Sequence, residues 1–206
     1  MALVKLNNRG VRSATTFGSI TGLGSMVFIK KLTASSSATV SFVDGTSDVV
    51  LDNTYKEYLF TFKNIHCATD DTHFEFNMSI DAGSNYNVAK TTTFFLAQHS
   101  ENDDTAQVAY NASFDLAQGT GFHSLAINQG NANDEGISGY LHLFNPSSTT
   151  FVKHFISNVN NVAYVDRSFN NYSAGYGNTT SAVDAIQFKQ SSGNIDAGDI
   201  CLYGIN

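Results

Sequence analysis

His73-Phe-Glu-Phe-Asn-Met-Ser-Ile80 (HFEFNMSI) alternates without a break. Phe74, Phe76, Met78 and Ile80 fall on one side of an extended chain, and His73, Glu75, Asn77 and Ser79 on the other. Successive side chains of a strand point to opposite faces, so this pattern predicts one face in a core and the other in water. Both neighbouring segments repeat the signal. In EYLFTFK (57–63), Tyr58, Phe60 and Phe62 share a face, and TTTFFLA (91–97) has the Thr and Phe content that favours a strand.

The same reading extends to both ends. MVFIKKL (26–32) is a short apolar run, and ATVSFV (38–43) sets Val40 and Phe42 against Thr39 and Ser41. Further strands are expected near 106–110 and over FHSLAIN (122–128), ISGYLHLF (137–144), TFVKHFISNV (150–159), AVDAIQFKQ (182–190) and DICLYGI (199–205). In TFVKHFISNV both faces carry bulk, which places it centrally in a sheet or at a subunit contact. ASSS (34–37) reads as a turn, Asp44-Gly45 as a hairpin-type turn, and NPSST (145–149) as a turn with Pro146 preset for its second position. FDLAQ (114–118) could form one turn of helix, and the Asn-, Ser-, Tyr- and Gly-rich 166–182 a long loop or short strand pair. About nine or ten short strands with frequent turns predict an all-β protein, an antiparallel β-sandwich of jelly-roll type over 26–206.

Composition agrees. Charged residues make up only 14% of the 206, too few for a charged helical bundle, while 42% hydrophobic residues suffice for a core. The charge is uneven: Lys5, Arg9, Arg12, Lys30 and Lys31 give residues 1–31 a charge of +5, and the remainder carries −12. Residues 1–25 lack a helical period and read as an extended N-terminal arm, with Lys5, Arg9 and Arg12 as candidate attachment residues. The acidic total of −7 argues against nucleic acid as a partner. No apolar run reaches the length of a membrane span, and the N-terminus lacks the apolar core of a signal peptide, so membrane insertion is not expected and folding in a cytoplasm is. Cys67 and Cys201 are expected as free, partly buried thiols.

Catalytic spacing is missing. The chain has no G-x-S-x-G, P-loop, H-E-x-x-H or C-x-x-C. Its six histidines include no H-x-H pair, and no metal or cofactor is expected. Asp70-Asp71, Glu101 to Asp104 and Asp134-Glu135 could gather oxygens for Ca²⁺ or pair for glycoside hydrolysis, but they read first as solvated loop charge. Tyr164, Tyr172 and Tyr176 stand among Asn, Ser and Gly, a binding-surface composition, and are the candidate host or glycan contacts; an edge cap or a subunit interface is the other reading.

ISGYLHLFNPSSTTFVKHFI (137–156), AVDAIQFKQSSGNIDAGDICLYGIN (182–206) and EYLFTFKNIHCATDDTHFEF (57–76) resemble a set of tailed-phage virion proteins common in marine phages and cyanophages. SGNIDAGDICLYG (192–204) is the most specific piece, and ALVKLNNRGV (2–11) is similar to the virion-anchoring start of tail-fibre and appendage proteins. The resemblance implies a non-enzymatic virion structural protein, a β-sandwich module on the particle surface. It would be a tail-fibre or appendage module, homotrimeric, assembled in the host cytoplasm with capsid or tail proteins and touching a host glycan or receptor. A head decoration or cement protein is the first alternative and a glycan-degrading depolymerase the second. The resemblance carries no catalytic residue.

Overall fold

A computed structural model describes residues 26–206. The arm over 1–25, with Lys5, Arg9 and Arg12, lies outside the described residues. Among the described residues there are twelve strands, one 3-10 turn (Ala112–Phe114) and no α-helix. The strands are β1 (Met26–Ser37), β2 (Val40–Val43), β3 (Glu57–Cys67), β4 (Thr72–Ser79), β5 (Lys90–Ser100) and β6 (Ala106–Tyr110). They continue with β7 (His123–Gln129), β8 (Ile137–Phe144), β9 (Lys153–Ala163), β10 (Arg167–Gly177), β11 (Ala185–Gln190) and β12 (Ile195–Ile205).

All pairs are antiparallel, and the protein is all-β. One run of eight neighbours reads β1-β12-β3-β8-β9-β10-β5-β6, and a run of four reads β7-β4-β11-β2. A single residue pair, Gln129 with Ala163, joins β7 to β9 and so links the runs. The strands at the two ends of the main path, β1 and β2, are consecutive in the chain, and the sheet curls nearly closed.

Phenylalanine fills the space between the opposed walls. Phe60 meets Phe42 at 5.4 Å and Phe188 at 5.5 Å, Phe62 meets Phe74 at 5.1 Å, and Phe76 meets Phe155 at 4.9 Å. None of these pairs joins hydrogen-bonded strands, so they record wall against wall. A smaller cluster of Phe94, Leu96, Ile127, Ala163 and Phe169, with Phe114 of the 3-10 turn against it, fixes the inner side of β5 and β10 over β7. Cys67 and Cys201 are free and buried.

Several local expectations change. Asn77 and Ser79, expected in water, are fully buried. The following loop folds back over them: the Asn77 amide donates to the Tyr86 carbonyl at 2.6 Å and the Thr120 carbonyl at 3.0 Å. ASSS continues β1 to Ser37 because β12 pairs with its backbone through Ser37–Ile195. Asp44-Gly45 does turn the chain but closes no hairpin, since β2 pairs with β11. The 166–182 region holds an eleven-residue strand, β10. TFVKHFISNV is central, with β9 between β8 and β10.

Lys153 shows how the sheet end is held. The side chain is 0% exposed, and its ammonium donates to the carbonyls of Ser148 (2.6 Å), Phe151 (2.7 Å) and Thr179 (3.2 Å). Three N–H groups meet three acceptors, tying the 145–152 loop and the 178–182 segment to the start of β9. Methionine fills similar space but leaves the carbonyls without their charged donor. Lys153→Met is expected to lower stability by about 2–4 kcal/mol, read from urea unfolding. A loss within about 0.5 kcal/mol, typical of a surface change, would refute this role.

Candidate functional site

Strand alternation gives the eight-strand run a second face, turned away from the core. The registers align its side chains in rows across the strands. One row runs Tyr110, Phe95, Tyr172, Asn158, Tyr140, Thr61 over β6, β5, β10, β9, β8 and β3. The next runs Ala174, Ile156, His142, Leu59, Tyr203, Phe28 over β10, β9, β8, β3, β12 and β1. A third carries Tyr176 and His154 at one end and Phe144, Glu57, Ile205 and Met26 at the other.

Much of this apolar surface faces solvent. Ile156 is 51% exposed, Phe28 55%, Tyr110 59%, Tyr140 41% and Phe95 40%. The Phe95 and Tyr172 rings stack at 4.9 Å with 6° between their planes, and Phe28 sets its edge to Tyr203 at 5.6 Å. Ala174 and Gly175 lower the floor of a groove of about 500 Å³ between Thr93, Phe144, His154, Ile156 and Tyr176. Glycine is required at 175, because a Cβ there would lie 2.5 Å from the Thr91 carbonyl oxygen.

Charge is sparse on the face. Glu57 sits in the third row and is paired with His142 at 3.0 Å; Lys31, beside Cys201 at the β1 edge, is paired with Asp199 at 3.3 Å. Beyond Tyr172 and Asn158 the next row is polar, with Asn170, Asn160 and Ser138. An apolar centre with a polar margin is the anatomy of a protein contact surface.

Of the three tyrosines singled out from the sequence, Tyr172 and Tyr176 lie together on this face. Tyr164 does not; it occupies the β9–β10 turn beside Val165, each 39% exposed. The sequence reading missed Phe95, Tyr110, Tyr140 and Phe28, and held Ile156 only within the two-sided bulk of TFVKHFISNV. For Phe95 the available signal was its adjacency to Phe94, which puts bulk on both sides of one strand.

The polar candidates are engaged locally. Among the described residues no cluster of three or more His, Cys, Asp or Glu could hold a metal ion. Asp134 and Glu135 line a groove of about 500 Å³ with His66 and Asp196, where Glu135 Oε2 accepts from the Ala132 amide at 2.6 Å and His66 stands 3.6 Å from Asp196. In the loop after β5, Asp104 accepts from Ser100 Oγ (2.7 Å) and Asn102 Nδ2 (3.0 Å), and these bonds hold its carboxyl below the usual range. Burial pushes Glu75 upward, as a general acid would need, but Glu75 pairs with Lys189 on β11 at 3.7 Å and lines neither groove.

The most perturbed bases are buried structural groups. Lys90 donates to Asn77 Oδ1 (2.5 Å) and the Val88 carbonyl (2.8 Å), and burial pushes it down to about 7. His123 lies among Phe76, Phe94 and Phe155 with its Nδ1 3.3 Å from Thr92 Oγ1; burial, then the Lys90 charge, pushes it down to about 3. Both are 1% exposed or less, so a substrate does not reach them in this conformation. Met26, Phe28, Phe95, Tyr110, Tyr140 and Ile156, large hydrophobic side chains that are exposed, gather on the outer face. Compared with protein families, curated proteins and solved structures, the chain matches none.

Proposed function

We propose that this chain is a non-enzymatic virion structural protein of a tailed phage, of the tail-fibre or appendage kind, and that the outer face of the eight-strand run is its contact surface. That broad, aromatic, nearly uncharged face is the observation that carries the reading. Neutral apolar surfaces suit packing and adhesion, and a rigid antiparallel fold suits a protein that works outside the cell. The phage part rests on the resemblance of 57–76, 137–156 and 182–206. The finer fold we propose is a jelly-roll sandwich. Strand order supports it: without the β5–β6 and β9–β10 pairs, eight strands remain, and β1-β12-β3-β8 face β2-β11-β4-β7. Two interleaved Greek keys produce that order.

On this reading residues 1–25, through Lys5, Arg9 and Arg12, attach the module to a capsid or tail protein. Tyr164 and Val165 at the β9–β10 turn are left to meet a host glycan or receptor. Imaging of assembled particles tests the location: density at the tail or a vertex is expected, and density repeated over the whole capsid would replace the appendage by a decoration protein. Purified protein is expected to bind host cells, and Tyr164→Ala with Val165→Ala to weaken that binding about tenfold, a loss of roughly 1.4 kcal/mol. Glycan hydrolysis by the purified chain would overturn the non-enzymatic reading.

A further inference from the structure

We infer that Lys90 and Asn77 are the two partners of an intramolecular isopeptide bond, formed when the Lys90 amine condenses with the Asn77 side-chain amide inside the folded protein. The bond is independent of the contact face and concerns a modification within the chain itself.

Geometry is the first argument. Lys90 Nζ stands 2.5 Å from Asn77 Oδ1, and both residues are 0% exposed. A carbonyl bond of about 1.23 Å then keeps Asn77 Cγ within about 3.7 Å of Nζ. Reacting atoms in a near-attack arrangement are about 3–3.5 Å apart. The amide is pinned on both sides. Its Oδ1 accepts from the Met78 backbone N–H at 2.8 Å, and its Nδ2 donates to the carbonyls of Tyr86 (2.6 Å) and Thr120 (3.0 Å). The Met78 N–H is aimed at the oxygen on which negative charge collects when the amide is attacked. Lys153, the other fully buried lysine among the described residues, donates to backbone carbonyls alone. Lys90 is the one that faces a side-chain amide.

The chemistry follows from the burial. A lysine attacks only as the free amine, and burial brings Lys90 down to about 7, so much of it is uncharged at neutral pH. Rotation about Cε–Nζ turns the lone pair onto Cγ. The Nζ–Cγ bond forms, the Cγ–Nδ2 bond breaks, one Nζ proton passes to Nδ2, and ammonia leaves. No oxidant or cofactor enters the balance. Holding the two groups in place supplies an effective molarity of about 10⁵–10⁸ M. Among the described residues no carboxylate counters the burial of Lys90, so the proton has no acidic carrier and joining is slow. A freshly folded chain is the unjoined form, and Lys90 titrates in it. The position gives the bond a use. Asn77 is on β4 in the four-strand run and Lys90 on β5 in the eight-strand run, and one backbone pair, Gln129 with Ala163, links those runs. The bond is a covalent staple between them, in a protein whose Cys67 and Cys201 are free.

The experiment uses the full chain, held folded for a week above pH 7. Its mass is expected to fall by one ammonia in most of the molecules. A protease that cuts before aspartate then releases 71–80, which holds Asn77, and 81–102, which holds Lys90. In mass spectrometry these two peptides are expected as one cross-linked species, lighter than their sum by one ammonia. The same chain held unfolded in guanidinium chloride, and folded Lys90→Met, are expected to give the two peptides separately. Separate peptides from the folded wild type overturn the inference. A lost ammonia with separate peptides overturns it too, because that marks a succinimide at an asparagine. Joined peptides from Lys90→Met or from the unfolded chain would place the link at another pair and equally overturn it. If Lys90→Met does not fold, the unfolded wild type remains the control.

Discussion

Phe188→Ala is expected to lower the free energy of unfolding by about 3–5 kcal/mol. Phe188 is fully buried on β11, and its ring meets four others: Phe62 at 5.3 Å, Phe60 at 5.5 Å, Phe74 at 5.8 Å and Phe42 at 6.4 Å. Those rings come from β2, β3 and β4, so this side chain is where the opposed walls of the sheet interlock. Truncation removes the transfer free energy of a phenyl ring and leaves a cavity that rigid strands cannot close. The outer face supplies a control of similar chemistry. Phe95, stacked on Tyr172 alone and 40% exposed, is expected to cost the isolated chain about 1 kcal/mol on truncation to alanine. Urea midpoints of the two variants compare them directly. Equal losses would mean that Phe188 is no keystone, and that the core distributes its packing evenly.

Strand positions were legible wherever hydropathy alternated. ISGYLHLF coincides with β8, and β3, β4, β11 and β12 contain or overlap the stretches read from the sequence. β10 was not legible, for a physical reason. Its inward set, Phe169, Asn171, Ser173 and Gly177, is mostly polar or small. Asn171 buries its amide by donating to the Val159 carbonyl (3.1 Å) and Asn161 Oδ1 (2.7 Å), while Asn161 donates to the Ile127 carbonyl (3.1 Å). A strand held by a buried amide chain has the composition of a loop. The facing of Asn77 and Ser79 failed for another reason: only the return of 80–89 and 116–121 over β4 covers them, and alternation within β4 carries no trace of that. Of the candidate face, the sequence held the two-sided bulk of 150–157 and the two tyrosines of β10. The rest depends on strand order. Phe28, Leu59, Tyr140, Ile156 and Phe95 become neighbours only when β1, β3, β8, β9 and β5 are laid side by side, and pairing between strands so distant in sequence leaves no local pattern.

Below about pH 9 stability is expected to fall as pH is lowered, in two stages led by Lys90 and His123, with Lys153, also lowered by burial, acting in the same direction as Lys90. Lys90 has an ordinary value of 10.5 and is pushed to about 7 by burial. Its two acceptors, Asn77 Oδ1 and the Val88 carbonyl, suit the two N–H groups of a neutral amine. His123 goes from 6.5 to about 3, walled by phenylalanines. In both cases the folded value lies below the unfolded one, so the unfolded chain holds the proton more tightly and stability rises with pH. The Lys90 contribution is complete above about pH 10.5 and lost as pH falls to about 7; that of His123 is complete above about 6.5 and lost by about 3. At about 1.4 kcal/mol per pH unit, each window spans on the order of 5 kcal/mol. Asp52, Asp81, Asp104 and Asp199 are lowered by hydrogen bonds to neighbouring side chains and act in the same direction, but only on the acid side of their ordinary value of 3.8. Glu75, raised from 4.5 by burial, acts in the opposite sense above that value, so the His123 contribution is read as the difference between the wild type and His123→Phe from about pH 6.5 to 5. Urea unfolding at pH 9, 7 and 5 checks both windows with Lys90→Met and His123→Phe beside the wild type. Lys90→Met is expected to flatten the profile between pH 7 and 9, and His123→Phe to flatten it between 7 and 5. Each variant serves as the other's control, because each should leave the opposite window sloped. Parallel profiles for the wild type and Lys90→Met above pH 7 would mean that the amine is solvated or charged in the folded protein, and the neutral Lys90–Asn77 contact would have to be abandoned.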